Sequence, residues 1–191
     1  MSEISLHEFE LTDAEMHLYS RQILLDGWDI EAQERLKLAN VLIIGAGGIG
    51  CTSAELLARA GVGKITIVDA DTIEVSNLQR QIAFCPNDVG QYKAEVLAKH
   101  LRAINPHIQV IYQNVRFDEN NADELVQHQD VVLDGCDNFS TRYLVNAVCK
   151  KYQVPLISAS AIAFEGQLFM VESDSAFYEG LFPKEQQSNE G

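Results

Sequence analysis

The chain has 191 residues, 47% of them hydrophobic and 22% charged, the balance of one well-buried globular domain rather than a disordered chain. Its 14 Lys and Arg against 28 Asp and Glu leave a net charge of −14, which argues against nonspecific binding to nucleic acid or an anionic membrane and requires any anionic ligand to meet a local basic cluster. No apolar run approaches the roughly 20 residues of a membrane span, and the opening MSEISLHEFE lacks the basic-then-apolar layout of a secretion signal, so a cytoplasmic location is expected.

Taken in order, residues 13–25 carry Met16, Leu18, Tyr19, Ile23 and Leu24 at helical spacing after a Thr12 or Asp13 cap. A second short helix is expected over residues 30–38, and together these make residues 1–40 a helical arm. Strand 41–44, a glycine turn, helix 48–60 ended by Gly61 and Gly63, and strand 64–68 then form a βαβ unit. Residues 72–90 read as a polar loop, long enough inside a compact domain to suggest function. Beyond it the pattern predicts helix 91–104, strand 108–112, a short helix 122–128, strand 131–133, helix 140–151, strand 155–159, and a last strand 166–171 that could run antiparallel. The fold class is therefore α/β: a Rossmann-like, mostly parallel sheet flanked by helices over residues 41–171, preceded by the arm. Residues 172–191 read as a polar, flexible tail. Cys51, Cys85, Cys136 and Cys149 form no C-x-x-C pair and read as reduced thiols, and the five histidines show no metal spacing, so zinc is not expected in this chain.

Chemistry is concentrated after the first strand. Gly45, Gly47 and Gly50 give the spacing G-x-G-x-x-G, which lets the backbone turn tightly and approach phosphate at a helix N-terminus. Asp69 closes the next strand, where a carboxylate can accept hydrogen bonds from ribose hydroxyls. Alone, this fingerprint would suit NAD. Four further motifs lie outside it: YSRQ with Arg21, SNLQRQ with Asn77 and Arg80, GQYKAE with Lys93, and LDGCDNFSTR with Asp137 at the carboxyl end of a strand. Read singly, each has a plain alternative. Arg80, Lys93 and Arg21 could be solvated surface charges, and Asp137 could simply cap the helix that follows.

In this order, with INP after the lysine helix, the motifs resemble those of the MoeB/ThiF/HesA family of enzymes that adenylate ubiquitin-like proteins; the resemblance covers about residues 12–171. It implies binding of ATP and Mg²⁺ and adenylation of the C-terminal Gly-Gly carboxylate of a small ubiquitin-like sulfur carrier of the MoaD or ThiS kind, in molybdopterin or thiamine synthesis. Carried over by motif, Asp69 would hold the ribose. Gly45, Gly47, Gly48 and Gly50 would line the nucleotide, and Asn77, Arg80 and Lys93 would meet the phosphates beside Ser76 and Asn138. Asp137 would ligate Mg²⁺, with Asp71 and Asp134 ranked below Asp69 and Asp137 as ligands. Arg21 would reach the phosphates of the other protomer in a homodimer. The sequence departs from the family pattern near its end. Where a C-x-x-C zinc half-site commonly precedes an LFP-like segment, residues 177–183 read FYEGLFP, and the sequence stops before the second half-site. Two other readings stand beside adenylation: a shortened nucleotide-binding partner without turnover, and, far behind, an NAD-dependent oxidoreductase.

Overall fold

The computed structural model describes residues 10–172. Three short helices, α1 (Asp13–Leu18), α2 (Ser20–Ile23) and α3 (Ile30–Leu38), lead into β1 (Asn40–Ile44), α4 (Gly48–Ala60) and β2 (Lys64–Val68). After a long loop with two turns of 3-10 helix, Val75–Asn77 and Pro86–Asp88, come α5 (Lys93–Ile104), β3 (Gln109–Gln113), α6 (Ala122–Val126) and β4 (Val131–Asp134). The described chain closes with α7 (Phe139–Tyr152), β5 (Leu156–Ile162) and β6 (Glu165–Val171).

The six strands form one sheet in the order β3-β2-β1-β4-β5-β6. Every pairing is parallel except that of β5 with β6. Because side chains alternate along a strand, β1 serves two cores. Val41 and Ile43 face α4 and α5, packing with Ala54, Ala58, Leu97 and Leu101. Leu42 and Ile44 face α6 and α7, packing with Leu125, Val145 and Cys149. A strand buried on both faces must be apolar throughout, which is why NVLII reads as a run rather than an alternation. The order of connection reverses between β1 and β4, and in open sheets the crevice at such a point receives ligands.

The expected single helix over residues 13–25 is two. Tyr19 ends α1 and begins α2 with φ −94° and ψ 7°. Its ring is buried against Gly61, where a Cβ would lie 2.6 Å from Tyr19 Cζ, and its hydroxyl accepts from Asn105 Nδ2 at 2.7 Å. Packing of that one side chain overrides the helical spacing around it. Thr12 is the cap, in a reciprocal arrangement with Glu15. Helix α5 begins at Lys93 rather than 91, because Gln91 lies in a bend, its N–H donating to Asp88 C=O and its C=O accepting from Ile73 N–H, while Tyr92 is extended and bridges Thr72. Strand β5 runs three residues beyond the expected end, to Ile162, where pairing with β6 continues. Among the described residues no helix is long and apolar enough to cross a membrane. The segment 177–183 lies outside the described residues.

Candidate nucleotide site

The glycine turn is shaped by contacts that admit no side chain. Gly45 has φ +93°, and a Cβ there would stand 3.0 Å from the carbonyl oxygen of Gly135. A Cβ on Gly50 would fall 1.8 Å from the carbonyl oxygen of Gly45, so α4 can start this close to β1 only without one. Gly47 caps α4 without a side-chain hydrogen bond, so the dipole and first-turn N–H groups of this 13-residue helix carry no side-chain cap. That is the condition for anion binding.

Asp69 leaves the end of β2 and accepts from Ala46 N–H at 2.6 Å and Asp71 N–H at 2.7 Å. Its carboxylate thereby joins the end of β2 to the glycine turn, with lone pairs remaining for a ligand. Burial pushes its carboxyl above the ordinary aspartate range, against the pull of those two N–H groups and Lys93. Lys93, the first residue of α5, is buried and donates to Asp71 Oδ2 at 2.8 Å. The pair is unequal: the lysine side chain is 10% exposed and the aspartate 66%. Lys93 is therefore not the surface charge that its residue type suggests.

In the long loop, Asn77 is buried and its Oδ1 accepts from Glu74 N–H at 3.0 Å. Ser76 is exposed and donates to Glu74 Oε2. Arg80 is also exposed; it donates to Ser76 C=O at 3.2 Å, and its Cγ lies 3.5 Å from the place of a Cβ on Gly48. From the β4 side, Asn138 caps α7, its Oδ1 accepting from Thr141 N–H at 2.9 Å, so the helix does not occupy Asp137, whose carboxylate is exposed at the cleft. Asp134, considered as a further ligand, is buried and accepts from Ser158 Oγ at 2.7 Å and Cys136 N–H at 3.0 Å. Burial lifts the Cys136 thiol to about 12, which favours the protonated thiol at neutral pH.

Most of these parts line one cleft of about 930 Å³, whereas Asp134 does not reach its wall. Of the sequence candidates, Gly45, Gly47, Gly48, Asp69, Asp71, Asn77, Arg80, Lys93, Asp137 and Asn138 are on its wall; Gly50, Ser76 and Arg21 are not. Gly50 works beneath the turn, and Ser76 supports Arg80 through its carbonyl. Among the wall residues that were not candidates, two are buried polar side chains, Gln81 and Arg142. Arg142 donates to Cys136 C=O and so fixes the loop that carries Asp137. Both belong to motifs already quoted, SNLQRQ and LDGCDNFSTR, but burial alone sets them apart from their neighbours.

An uncapped helix start, a buried ammonium and a carboxylate within one cleft fit a nucleoside triphosphate. The fit to Mg²⁺ is also chemical. Among the described residues no three His, Cys, Asp or Glu side chains gather as a metal cage, and Mg²⁺ characteristically takes one or two carboxylates and completes its shell with phosphate and water.

Fold and cleft together define a Rossmann-like α/β protein whose cleft lies at the switch point of the sheet. The chain belongs to the ThiF family, whose profile matches residues 19–191. It is 48% identical over 159 residues to the molybdopterin-synthase adenylyltransferase of Salmonella typhimurium, covering 83% of this chain and 64% of that protein. It is 42% identical to the SAMP-activating enzyme E1 of Haloferax volcanii, over 91% of this chain and 64% of that one. The chain thus spans somewhat under two thirds of the length of these two relatives. In structure it is similar to the E. coli tRNA N6-threonylcarbamoyladenosine dehydratase TcdA in complex with ATP, with a TM-score of 0.73 and 29% identity over 80% of this chain and 64% of that one.

Proposed function

We propose that this chain binds ATP with Mg²⁺ and adenylates the C-terminal Gly-Gly carboxylate of a small ubiquitin-like sulfur carrier, releasing pyrophosphate. The observation that carries the proposal is the buried Lys93 ammonium facing the same cleft as the uncapped start of α4 and the exposed Asp137. The names of the curated relatives, an adenylyltransferase and an E1 enzyme, favour this transfer over the hydride chemistry that the glycine fingerprint alone would allow.

A C-terminal carboxylate is ionised at neutral pH, with an ordinary pKa of about 3.5. It needs no general base. One of its oxygens attacks the α-phosphorus, the bond from that phosphorus to the bridging oxygen breaks, and pyrophosphate leaves with the electron pair. What remains for the protein is alignment and stabilisation of charge on the phosphates. Lys93 and Arg80 supply fixed cations, the first turn of α4 supplies N–H donors, and Asp69 holds the nucleoside end through its ribose. Mg²⁺, held by Asp137, would neutralise phosphate charge and favour departure of pyrophosphate. Arg21, which lies outside the cleft of its own protomer, would serve the site of a second copy.

The test is exchange of labelled pyrophosphate into ATP in the presence of a Gly-Gly carrier. Wild type should exchange only with carrier present, and Lys93→Ala should fall by orders of magnitude. Exchange that ignores the carrier, or a Lys93→Ala variant as active as wild type, would refute the assignment.

A further inference from the structure

Gln81 follows Arg80 in the same loop and is more deeply enclosed than any other polar residue discussed on the cleft wall, at 2% exposure. Its main chain is tied down: its N–H donates to Asn77 C=O at 3.0 Å and its C=O accepts from Phe84 N–H at 3.1 Å. Its carboxamide is a different matter. Oε1 is buried without a hydrogen-bond partner among the described residues, and Nε2 stands over Gly47, 4.0 Å from where a Cβ on that glycine would lie.

Position and burial bear on one another here. Arg80 covers Gly48 and Gln81 covers Gly47, so two successive loop residues flank two successive glycines at the start of α4. One brings a guanidinium and the other a neutral amide. The enclosed Oε1 is an acceptor and calls for a donor such as water, whereas Nε2, which makes no hydrogen bond within the described residues, is the atom of this carboxamide able to donate across Gly47. An amide N–H beside an uncapped helix start is chemically suited to one kind of partner, an anionic oxygen resting on that helix.

We propose that the Gln81 carboxamide is a phosphate ligand, donating from Nε2 to a nonbridging oxygen of the nucleotide's phosphate chain seated on the first turn of α4. The assignment rests on the nucleotide reading above and adds to it a neutral donor, which orients the chain without adding charge. It also makes a prediction that separates Gln81 from a mere spacer under the glycine turn. Its contribution depends on phosphate and is absent for the nucleoside.

The experiment is calorimetric titration of wild type, Gln81→Leu and Gln81→Glu with Mg·ATP, with adenosine measured by competition and the melting temperature of each protein recorded. Gln81→Leu should weaken ATP at least about tenfold, the usual scale for a hydrogen bond to a charged group. Adenosine affinity and melting temperature should stay close to wild type. Gln81→Glu keeps the size of the side chain and places a carboxylate against phosphate, so it should weaken ATP further and again spare adenosine. ATP bound as tightly by either variant as by wild type would overturn the assignment. Equal loss of ATP and adenosine with a lowered melting temperature would make Gln81 a spacer and overturn it too. If Gln81→Leu does not fold, Gln81→Glu decides alone. Wild type that binds no ATP would overturn the nucleotide reading itself, whereas wild type that binds it beside variants that bind it equally well removes only Gln81.

Discussion

The ion pair of Lys93 with Asp71 joins a buried cation to an anion mostly in water, so removing one partner differs from removing the other. In Lys93→Ala the carboxylate of Asp71 is already solvated, and the fold should survive with little change in denaturation midpoint while activity collapses. Glu15 shows the opposite case, an acid enclosed at 3% exposure, paired with Lys37 at 2.8 Å and bonded to Thr12. Burial works to raise its carboxyl, but Lys37 and the Thr12 donors outweigh it and hold it below the ordinary glutamate range. An acid depressed on folding stabilises above its unfolded value, about 4.3, and that stability is lost as pH falls through the lower folded value. Glu15→Gln should therefore be less stable than wild type near neutrality by about 1–3 kcal/mol, and urea midpoints for the two should converge as the pH is taken to about 3. Gly45, Gly47, Gly48, Asp69, Arg80 and Lys93 could be brought to one cleft from sequence because their motifs are ordered along the chain, whereas the charged Arg142 could not. Asp137 was ambiguous until Asn138 proved to be the helix cap. Gln81 was invisible, because nothing in an RQ dipeptide says which of its two side chains goes inside.

At the scale of elements, helix α4 can begin where it does only because Gly50 has no side chain. A methyl there would collide with backbone, which cannot turn aside as a side chain can. Gly50→Ala should destabilise the protein by about 3 kcal/mol or more in urea denaturation and should abolish nucleotide binding, since α4 must move from the turn to relieve the clash. A midpoint equal to wild type would mean that β1 and α4 are packed less closely than described. The strands and longer helices were readable from period and punctuation: α3, α4 and β2 fall on the expected residues because Asp29, Gly47 and Gly61 mark their ends locally. What was not readable was imposed from outside the segment. Tyr19 breaks the arm because it enters the core, and residues 91–92 stay outside α5 because Ile73 and Thr72 hold them. Neither partner lies within the window over which helical periodicity is judged.

At the scale of the whole molecule, Arg21 is on the outside of its own cleft, while its helix is anchored by neighbouring Gln22, whose Nε2 donates to Ala60 C=O at 2.7 Å. If each site in a symmetric dimer takes Arg21 from one chain and Lys93 from the other, a chain lacking Arg21 and a chain lacking Lys93 can complement. Mixing and re-equilibrating Arg21→Ala with Lys93→Ala should restore roughly a quarter of wild-type exchange, half the dimers being mixed with one intact site each. No recovery on mixing would place both residues in the service of one chain. The contact between Gly45 and Gly135 bears on the order of events in time. The two halves of the cleft come from β1 and β4, neighbours in the sheet but far apart along the chain, and bringing them together closes a long loop whose entropy must be overcome before the site exists. On the proposed function, a nucleotide would find its full seat only on the folded chain, so saturating ATP should slow unfolding and leave the refolding rate close to that of the free protein, as stopped-flow kinetics would show.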